Sequence, residues 1–162
     1  MKPLVLLDVD GVVNDLTHWT QAEMAEMGMT TFVSNGYTIR MPKYMPELVQ
    51  SLVDNCEVHW CTTWRERANL DIAGMLGIPH LPVVTDGTDQ RVTSWKHGAA
   101  TPLVLEALGQ GRKVYWIEDF YGKLPPMPKG TVFVDTASDS WSPVLRPEDL
   151  PMGLRFEKEL LP

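Results

Sequence analysis

The chain has few cysteines, few positive charges and no long apolar run. Its 162 residues contain only two cysteines, which excludes a small scaffold held together by disulfides. No apolar stretch approaches the roughly 20 residues that span a bilayer. The short apolar segment before Asp8 is too brief for the core of a secretion signal. We therefore expect no membrane partner and a cytoplasmic location.

Positive charge is outweighed by negative charge, since 14 Lys and Arg face 21 Asp and Glu for a formal net charge of -7. Extensive non-specific binding to nucleic acid normally needs a basic surface, so we do not expect it. A nucleotide or a single nucleic-acid end stays possible as a partner, because a site can be locally positive on an acidic protein. The sequence says nothing about the oligomeric state.

Soft metal ligands are also scarce. The four histidines show no spacing typical of a zinc site. Cys56 and Cys61 lie in a segment that we interpret as a strand, and their odd offset places them on opposite faces of a sheet. We therefore expect two buried cysteines that neither pair nor share a metal.

Short apolar runs alternate with helical patterns along the chain, and proline and glycine separate them. This alternation predicts an α/β fold with a parallel sheet and right-handed crossovers. Asn35-Gly36, flanked by β-branched and aromatic residues, predicts a hairpin. We expect strands at about 4–7, 58–61, 81–84, 114–117 and 131–134, and helices at about 17–27, 46–55, 65–76 and 101–108. A polar loop is expected at 85–93 and one short helix near Glu157.

Reactive side chains cluster just after the predicted strands, where parallel sheets bind ligands. Asp8 ends the first strand, and Asp10 and Gly11 follow. Two carboxylates this close repel each other unless a cation or a shared proton compensates, which suits Mg²⁺ with oxygen ligands. The plainer alternative for such a pair is a solvated loop or a helix cap.

Further polar groups follow the other strands. Thr62 stands after the second strand, where a hydroxyl could contact a phosphoryl group or simply cap the next helix. Lys96 lies ahead of the helix before strand four and could neutralise phosphate or be a surface lysine. Glu118-Asp119 closes strand four as a second acidic pair, either metal ligands or an acidic turn.

In this order, the motifs resemble the haloacid dehalogenase (HAD) superfamily. The resemblance runs from Leu4 to about Asp119. It implies a HAD-like Rossmannoid three-layer sandwich whose central parallel sheet has the order 3-2-1-4-5. We expect a single domain over residues 1–162. Between about 15 and 45 there is room only for a short helix and the hairpin, so a minimal flap should replace a large cap.

The resemblance also implies catalytic roles. Asp8 would be the nucleophile that forms an aspartyl-phosphate, and Asp10 would protonate the leaving oxygen and then activate water. Thr62 would bind the phosphoryl group, and Lys96 would stabilise it beside Asp8. Aspartate at position 10 favours phosphatase over dehalogenase chemistry.

Mg²⁺ is the cofactor that the resemblance implies. Its ligands would be Asp8, the backbone carbonyl of Asp10, and Glu118 or Asp119. The superfamily pattern expected at the last position is Asp-Asp, whereas this chain has Glu118-Asp119. Which of these two binds the metal stays open at this point.

The segments around Trp60–Asn69, Trp95-Lys96 and Trp116–Asp119 are similar to the small HAD domains of Swiss Army knife RNA-repair proteins. The substrate expected is therefore a phosphorylated small molecule, a nucleotide or a nucleic-acid end, with Thr63, Arg65 and Arg40 as binding residues. Two alternatives keep the fold: a phosphotransferase that uses the same intermediate, and a non-catalytic phosphate-binding scaffold. Asp135, Asp139 and Trp141 either border the site or organise the proline-rich tail.

Overall fold

A computed structural model describes residues 1–85, 95–138 and 142–156. The predicted polar loop lies largely outside these residues, as do Asp139, Trp141 and the helix expected near Glu157. The described elements are β1 (Leu4–Leu7), α1 (Gln21–Met27), β2 (Thr30–Ser34), β3 (Tyr37–Met41), α2 (Met45–Asn55), β4 (Glu57–Trp60), a π-helical turn (Ala68–Ile72), α3 (Ala73–Leu76), α4 (Trp95–Gly109), β5 (Val114–Glu118), β6 (Thr131–Asp135) and two 3₁₀ turns (Pro147–Asp149 and Met152–Leu154).

The central sheet is parallel and has the order β4-β1-β5-β6. Strand β1 is central and fully buried because all four of its residues are apolar. Successive side chains of a strand point to opposite faces of the sheet. Val5 and Leu7 therefore join the core cluster on one face, and Leu4 and Leu6 join the cluster on the other face. The predicted α/β sandwich is confirmed.

Helices cover both faces of this sheet. On one face lie α2 and α3, which contribute Val49 and Leu76 to the core, and on the other lies α4, which contributes Val104. The cysteines follow the same division, since Cys56 packs in the first cluster and Cys61 in the second. Both are buried free thiols, as their odd spacing predicted.

The expected third strand at 81–84 is reduced to one isolated bridge between Trp60 and Val83. Its two backbone hydrogen bonds run from Trp60 N to Pro82 O and from Val84 N to Trp60 O. Pro82 has no N–H to donate, so a longer ladder is not available there. The predicted order 3-2-1-4-5 therefore holds for strands 2, 1, 4 and 5, which are β4, β1, β5 and β6. A single bridge takes the place of predicted strand 3 at the edge of the sheet.

Two predicted helices begin later than expected. Thr20 caps α1 through a reciprocal pair of hydrogen bonds with Glu23, which excludes residues 17–20 from the helix. The helix expected from Arg65 starts only at Ala68, because Arg65 has a left-handed backbone with φ 52°. Conversely, α4 already includes Trp95 and Lys96, ahead of its predicted start.

The hairpin of β2 and β3 forms a separate two-stranded sheet. It lies beside the segment that follows β1, since Asp15 N donates to Arg40 O. Its turn needs positive φ at both central residues, which Asn35 (51°) and Gly36 (81°) supply. Among the described residues, no helix has the length and apolar character needed to cross a bilayer.

Candidate active site

An open cleft of about 570 Å³ lies beyond the carboxyl ends of β1 and β5. This is the edge at which ligands bind in parallel α/β sheets. The chain thus gathers at one place the groups that follow separate strands. The cleft is lined by Asp8, Asp10, Thr63, Lys96, His97, Trp116, Glu118, Asp119, Phe120, Lys123, Pro125 and Pro126.

Asp8 is the buried carboxylate at the floor of this cleft. Its Oδ1 accepts a hydrogen bond from Val9 N at 2.8 Å. Burial raises the pKa of Asp8, while Lys96, the Val9 N–H and the Thr62 hydroxyl act to lower that pKa. The carboxylate therefore sits among donors that favour its charged form in a place where water cannot solvate it.

Lys96 is the cation that compensates Asp8. Its Nζ lies 3.3 Å from Oδ2 of Asp8 and 2.5 Å from Oε1 of Glu118. Burial works against a charged lysine, yet Asp8 and Glu118 together raise the pKa of Lys96 above its usual value. Lys96 thus stays protonated although its side chain is only 6% exposed.

Glu118 and Asp119 carry more negative charge than one lysine can balance. Burial, and then the neighbouring Asp8, raise the pKa of Glu118 and of Asp119 to about 7. Three carboxylates near a single ammonium cannot all ionise readily at neutral pH without another cation. Glu118 and Asp119 both line the cleft, so the acidic pair after strand four faces the same space as Asp8.

Gly11 lets the loop after β1 touch Asp119. A Cβ at position 11 would overlap with Oδ2 of Asp119, and the backbone there has φ 77°. Glycine is thus required for two reasons, the left-handed backbone and the close approach of a carboxylate.

We expect Gly11→Ala to lower the free energy of unfolding by about 3 kcal/mol, because overpacking adds to backbone strain. Gly36→Ala is the matched control, since Gly36 has a similar φ of 81° but nothing within 4 Å of its added Cβ. Urea unfolding of the two variants measures the difference. Equal losses would contradict the close contact of Asp119 with the loop.

Asp10 lines the same cleft as Asp8 and accepts a hydrogen bond at each carboxylate oxygen. Nδ2 of Asn14 donates to Oδ1 at 2.9 Å, and Nε1 of Trp64 donates to Oδ2 at 3.0 Å. Its carboxylate therefore has a fixed direction in the cleft. No role at Asp10 was predicted from the sequence for Asn14 or Trp64, although Asn14 lies in the segment that follows Gly11.

Thr62 and the three predicted substrate-binding residues take different positions. Thr62 is fully buried beneath the cleft, with its hydroxyl accepting from Trp64 N at 3.2 Å. Thr63 lines the cleft. The side chains of Arg65 and Arg40 are not among its lining residues; the Arg65 guanidinium lies 4.6 Å from the centre of the Trp95 ring.

Asp135 organises the turn that carries Asp119. Its Oδ1 accepts from Phe120 N at 3.0 Å and its Oδ2 from Gly122 N at 2.8 Å. Asp135 ends β6, the strand next to β5, so it contacts the turn from the side. Asp135 therefore fixes the turn that follows Asp119. Lys123 and His97, which were not predicted as site residues from the sequence, also line the cleft.

The residues present suit Mg²⁺ only as part of a mixed ligand set. Among the described residues, no group of three or more His, Cys, Asp or Glu side chains is arranged to hold a metal ion. Mg²⁺ commonly uses one or two carboxylates and keeps several waters. Asp8 and Asp119, with a backbone carbonyl, match that donor set, and their excess charge favours a cation.

Without a divalent cation, we expect stability to fall as pH rises towards 7. The usual pKa values of Glu118 and Asp119, 4.5 and 3.8, apply in the unfolded chain, against about 7 when folded. The folded protein therefore binds more protons between about pH 4 and 7, so these groups stabilise it most at the acidic end. That contribution is lost as pH rises through 7.

Thermal unfolding in chelator at pH 6 and pH 8 measures this effect. Relative to the wild type, the free energy of unfolding of Asp119→Asn should be about 1 kcal/mol higher at pH 8 than at pH 6. This figure allows for the partial exposure of the carboxyl, which weakens the effect. Saturating Mg²⁺ should remove the difference by binding the folded wild type. If the stability difference between the wild type and Asp119→Asn is the same at both pH values, the raised pKa of Asp119 is contradicted.

The family described as the HAD domain in Swiss Army Knife RNA repair proteins matches residues 4–141. The chain belongs to this family. The match includes both acidic pairs, Thr62 and Lys96, so the predicted resemblance is confirmed.

Among solved structures, the HAD domain is similar to 3-deoxy-D-manno-octulosonate 8-phosphate phosphatase from Yersinia pestis. The identity is 22% and the TM-score 0.38, with 73% of this chain covered. The chain spans about half the length of that phosphatase, 54% of which is covered. A search of curated proteins gave no match.

Proposed function

We propose that this HAD domain is a Mg²⁺-dependent phosphomonoester hydrolase that works through an aspartyl-phosphate on Asp8. The observation that carries the proposal is the buried Asp8 carboxylate, held beside Lys96 and the Thr62 hydroxyl at the floor of an open cleft. Asp10 lies two residues further on in the same cleft. A nucleophile and a proton-transfer group thus face the same space.

The reaction has two steps. An Asp8 oxygen bonds to phosphorus, the bond from phosphorus to the leaving oxygen breaks, and that oxygen keeps the electron pair and takes a proton from Asp10. Water then bonds to phosphorus and gives its proton to Asp10, while the bond between phosphorus and Asp8 breaks and releases phosphate. Asp10 returns to its starting state.

Positive charge around the phosphoryl oxygens supports both steps. The Lys96 ammonium is close enough to Asp8 to contact a phosphoryl group bound there. We assign the Thr62 hydroxyl to a phosphoryl oxygen, a role supported by its position near Asp8, whose pKa it acts to lower. We assign Thr63, which lines the cleft, to the same group.

For Mg²⁺, we assign Asp8, the backbone carbonyl of Asp10 and Asp119 as ligands. Glu118 is assigned to Lys96, because its Oε1 is already 2.5 Å from Nζ. Both carboxylate oxygens of Asp10 accept N–H groups, which favours its carbonyl as the ligand. When bound, Mg²⁺ would neutralise negative charge between the carboxylates and the phosphoryl group.

For the substrate, we propose a nucleotide or a phosphorylated nucleic-acid end. The family to which the chain belongs is described by its occurrence in RNA repair proteins, which supports this class. We also propose that the β2–β3 hairpin acts as a short flap within a single domain. A cleft without a large cap could admit the end of a polymer as well as a small molecule.

A phosphate-release screen tests the proposal. The protein with Mg²⁺ is offered sugar phosphates, nucleotides, and short oligonucleotides carrying a 5′- or 3′-phosphate. We expect release that stops in excess chelator and is greatest with the nucleotide or oligonucleotide class. No release from any of them would favour a phosphate-binding scaffold, and loss of substrate without free phosphate would favour a phosphotransferase.

A further inference from the structure

The Asp10 carboxylate is fixed by two side chains that come from different parts of the chain. Asn14 follows it by four residues, whereas Trp64 lies 54 residues away on the loop after β4. Each gives one N–H to one oxygen, at 2.9 and 3.0 Å. We call Asn14 and Trp64 the Asp10 clamp.

Each member of the clamp is itself held in place. Oδ1 of Asn14 accepts from Arg40 N of β3 at 2.8 Å, and its backbone carbonyl accepts from Gly11 N at 2.9 Å. Asn14 is only 3% exposed, so its amide has little freedom to turn elsewhere. The Asn14 amide is thus oriented by the hairpin on one side and directed to Asp10 on the other.

Trp64 is positioned by its backbone and by the hairpin tip. Its N–H donates to the Thr62 hydroxyl at 3.2 Å, and its ring lies 5.9 Å from the ring of Tyr37 between centroids. The residue that follows, Arg65, has a left-handed backbone with φ 52°, which ends the loop in a sharp turn. Such strain is tolerated where surrounding contacts define the backbone.

We propose that Asn14 and Trp64 are positioning residues that hold Asp10 in line for proton transfer with the leaving group. The proposal rests on the proposed function, because it assigns a role to neighbours of Asp10 in that reaction. Neither residue lines the cleft, so each acts on the reaction through Asp10. Their contacts with Arg40 and Tyr37 join the orientation of Asp10 to the hairpin.

Dependence on the leaving group separates this role from simple structural support. An alkyl alcohol leaves poorly and needs a proton from Asp10, whereas 4-nitrophenol leaves well without one. Trp64→Phe keeps the ring and removes the N–H. It should lower kcat/KM for an alkyl phosphate about 10-fold or more and for 4-nitrophenyl phosphate by less than about 3-fold.

The second step gives an independent signature. Asp10 also takes a proton from water, so Trp64→Phe should slow hydrolysis of the aspartyl-phosphate while 4-nitrophenol is still released quickly. A rapid burst of about one 4-nitrophenol per enzyme should then precede a slow steady rate. Asn14→Ala should behave similarly, and Trp64→Phe decides the question if Asn14→Ala does not fold.

Trp19→Phe is the matched control. Nε1 of Trp19 donates to Oδ2 of Asp15 at 2.9 Å, which is the same kind of bond to a carboxylate outside the cleft. This variant should keep the wild-type ratio of the two kcat/KM values. Equal losses on both esters in Trp64→Phe, or no loss on either, would overturn the proposal; an inactive wild type would instead overturn the proposed function.

Discussion

Asp8→Asn should reduce kcat by about 10⁴-fold or more, to the background rate, because an amide oxygen cannot serve as the phosphoryl acceptor. The variant should still fold. Asparagine keeps the acceptor for Val9 N–H and removes a charge that burial disfavours. We expect its free energy of unfolding to stay within about 1 kcal/mol of the wild type. Phosphate release and urea unfolding measure the two quantities.

Asp15→Asn is the control for this experiment. Asp15 is 4% exposed, close to the 5% of Asp8, but it does not line the cleft and instead accepts from Thr17 N and from Trp19. It should lose about 1 kcal/mol of stability and keep its kcat. Substantial turnover by Asp8→Asn protein would exclude the aspartyl-phosphate mechanism, and a similar loss of kcat in Asp15→Asn would point to damage of the fold.

Lys96→Met should lower both activity and stability. The buried carboxylates of Asp8 and Glu118 would lose the ammonium that lies 3.3 and 2.5 Å from them. Breaking a buried pair from one side leaves charge uncompensated, at a cost of about 3 kcal/mol at pH 8. The loss of positive charge beside the phosphoryl group should reduce kcat/KM by about 10³-fold.

A second substitution separates the two effects. Lys96→Met combined with Glu118→Gln removes one unpaired carboxylate, so most of the lost stability should return while activity should not. Lys113→Met is the control, because Lys113 is exposed and lies outside the cleft. The free energy of unfolding of this variant should differ from that of the wild type by less than about 0.5 kcal/mol. Full recovery of activity in the double variant would contradict the role of Lys96 in catalysis.

Much of the site could be predicted because local sequence decides where strands end. The apolar run before Asp8 predicts a strand buried on both faces of a parallel sheet, and the apolar run before Glu118 ends at the same edge of that sheet. Asn35-Gly36 predicts its turn for a similarly local reason, since few residue pairs accept two positive φ values. These features need no knowledge of distant contacts.

Other features depend on contacts between distant residues. Glu118 and Asp119 are adjacent carboxylates, and only packing places Glu118 against Lys96 and Asp119 against Gly11. The bond from Trp64 to Asp10 joins groups that no short pattern connects. Arg65 was predicted to bind substrate, and the folded chain adds a contact that no short pattern indicates, with its guanidinium 4.6 Å from the centre of the Trp95 ring.

The sequence by itself determined the parallel α/β sheet and the edge at which the cleft lies, because these follow from strand ends and motif order. The tertiary structure decided which neighbour each charged group has. It assigned Lys96 to Asp8 and Glu118, left Asp119 beside Gly11, and fixed Asp10 with Asn14 and Trp64. Those pairings depend on distances of about 3 Å, which only the packing of the folded chain sets.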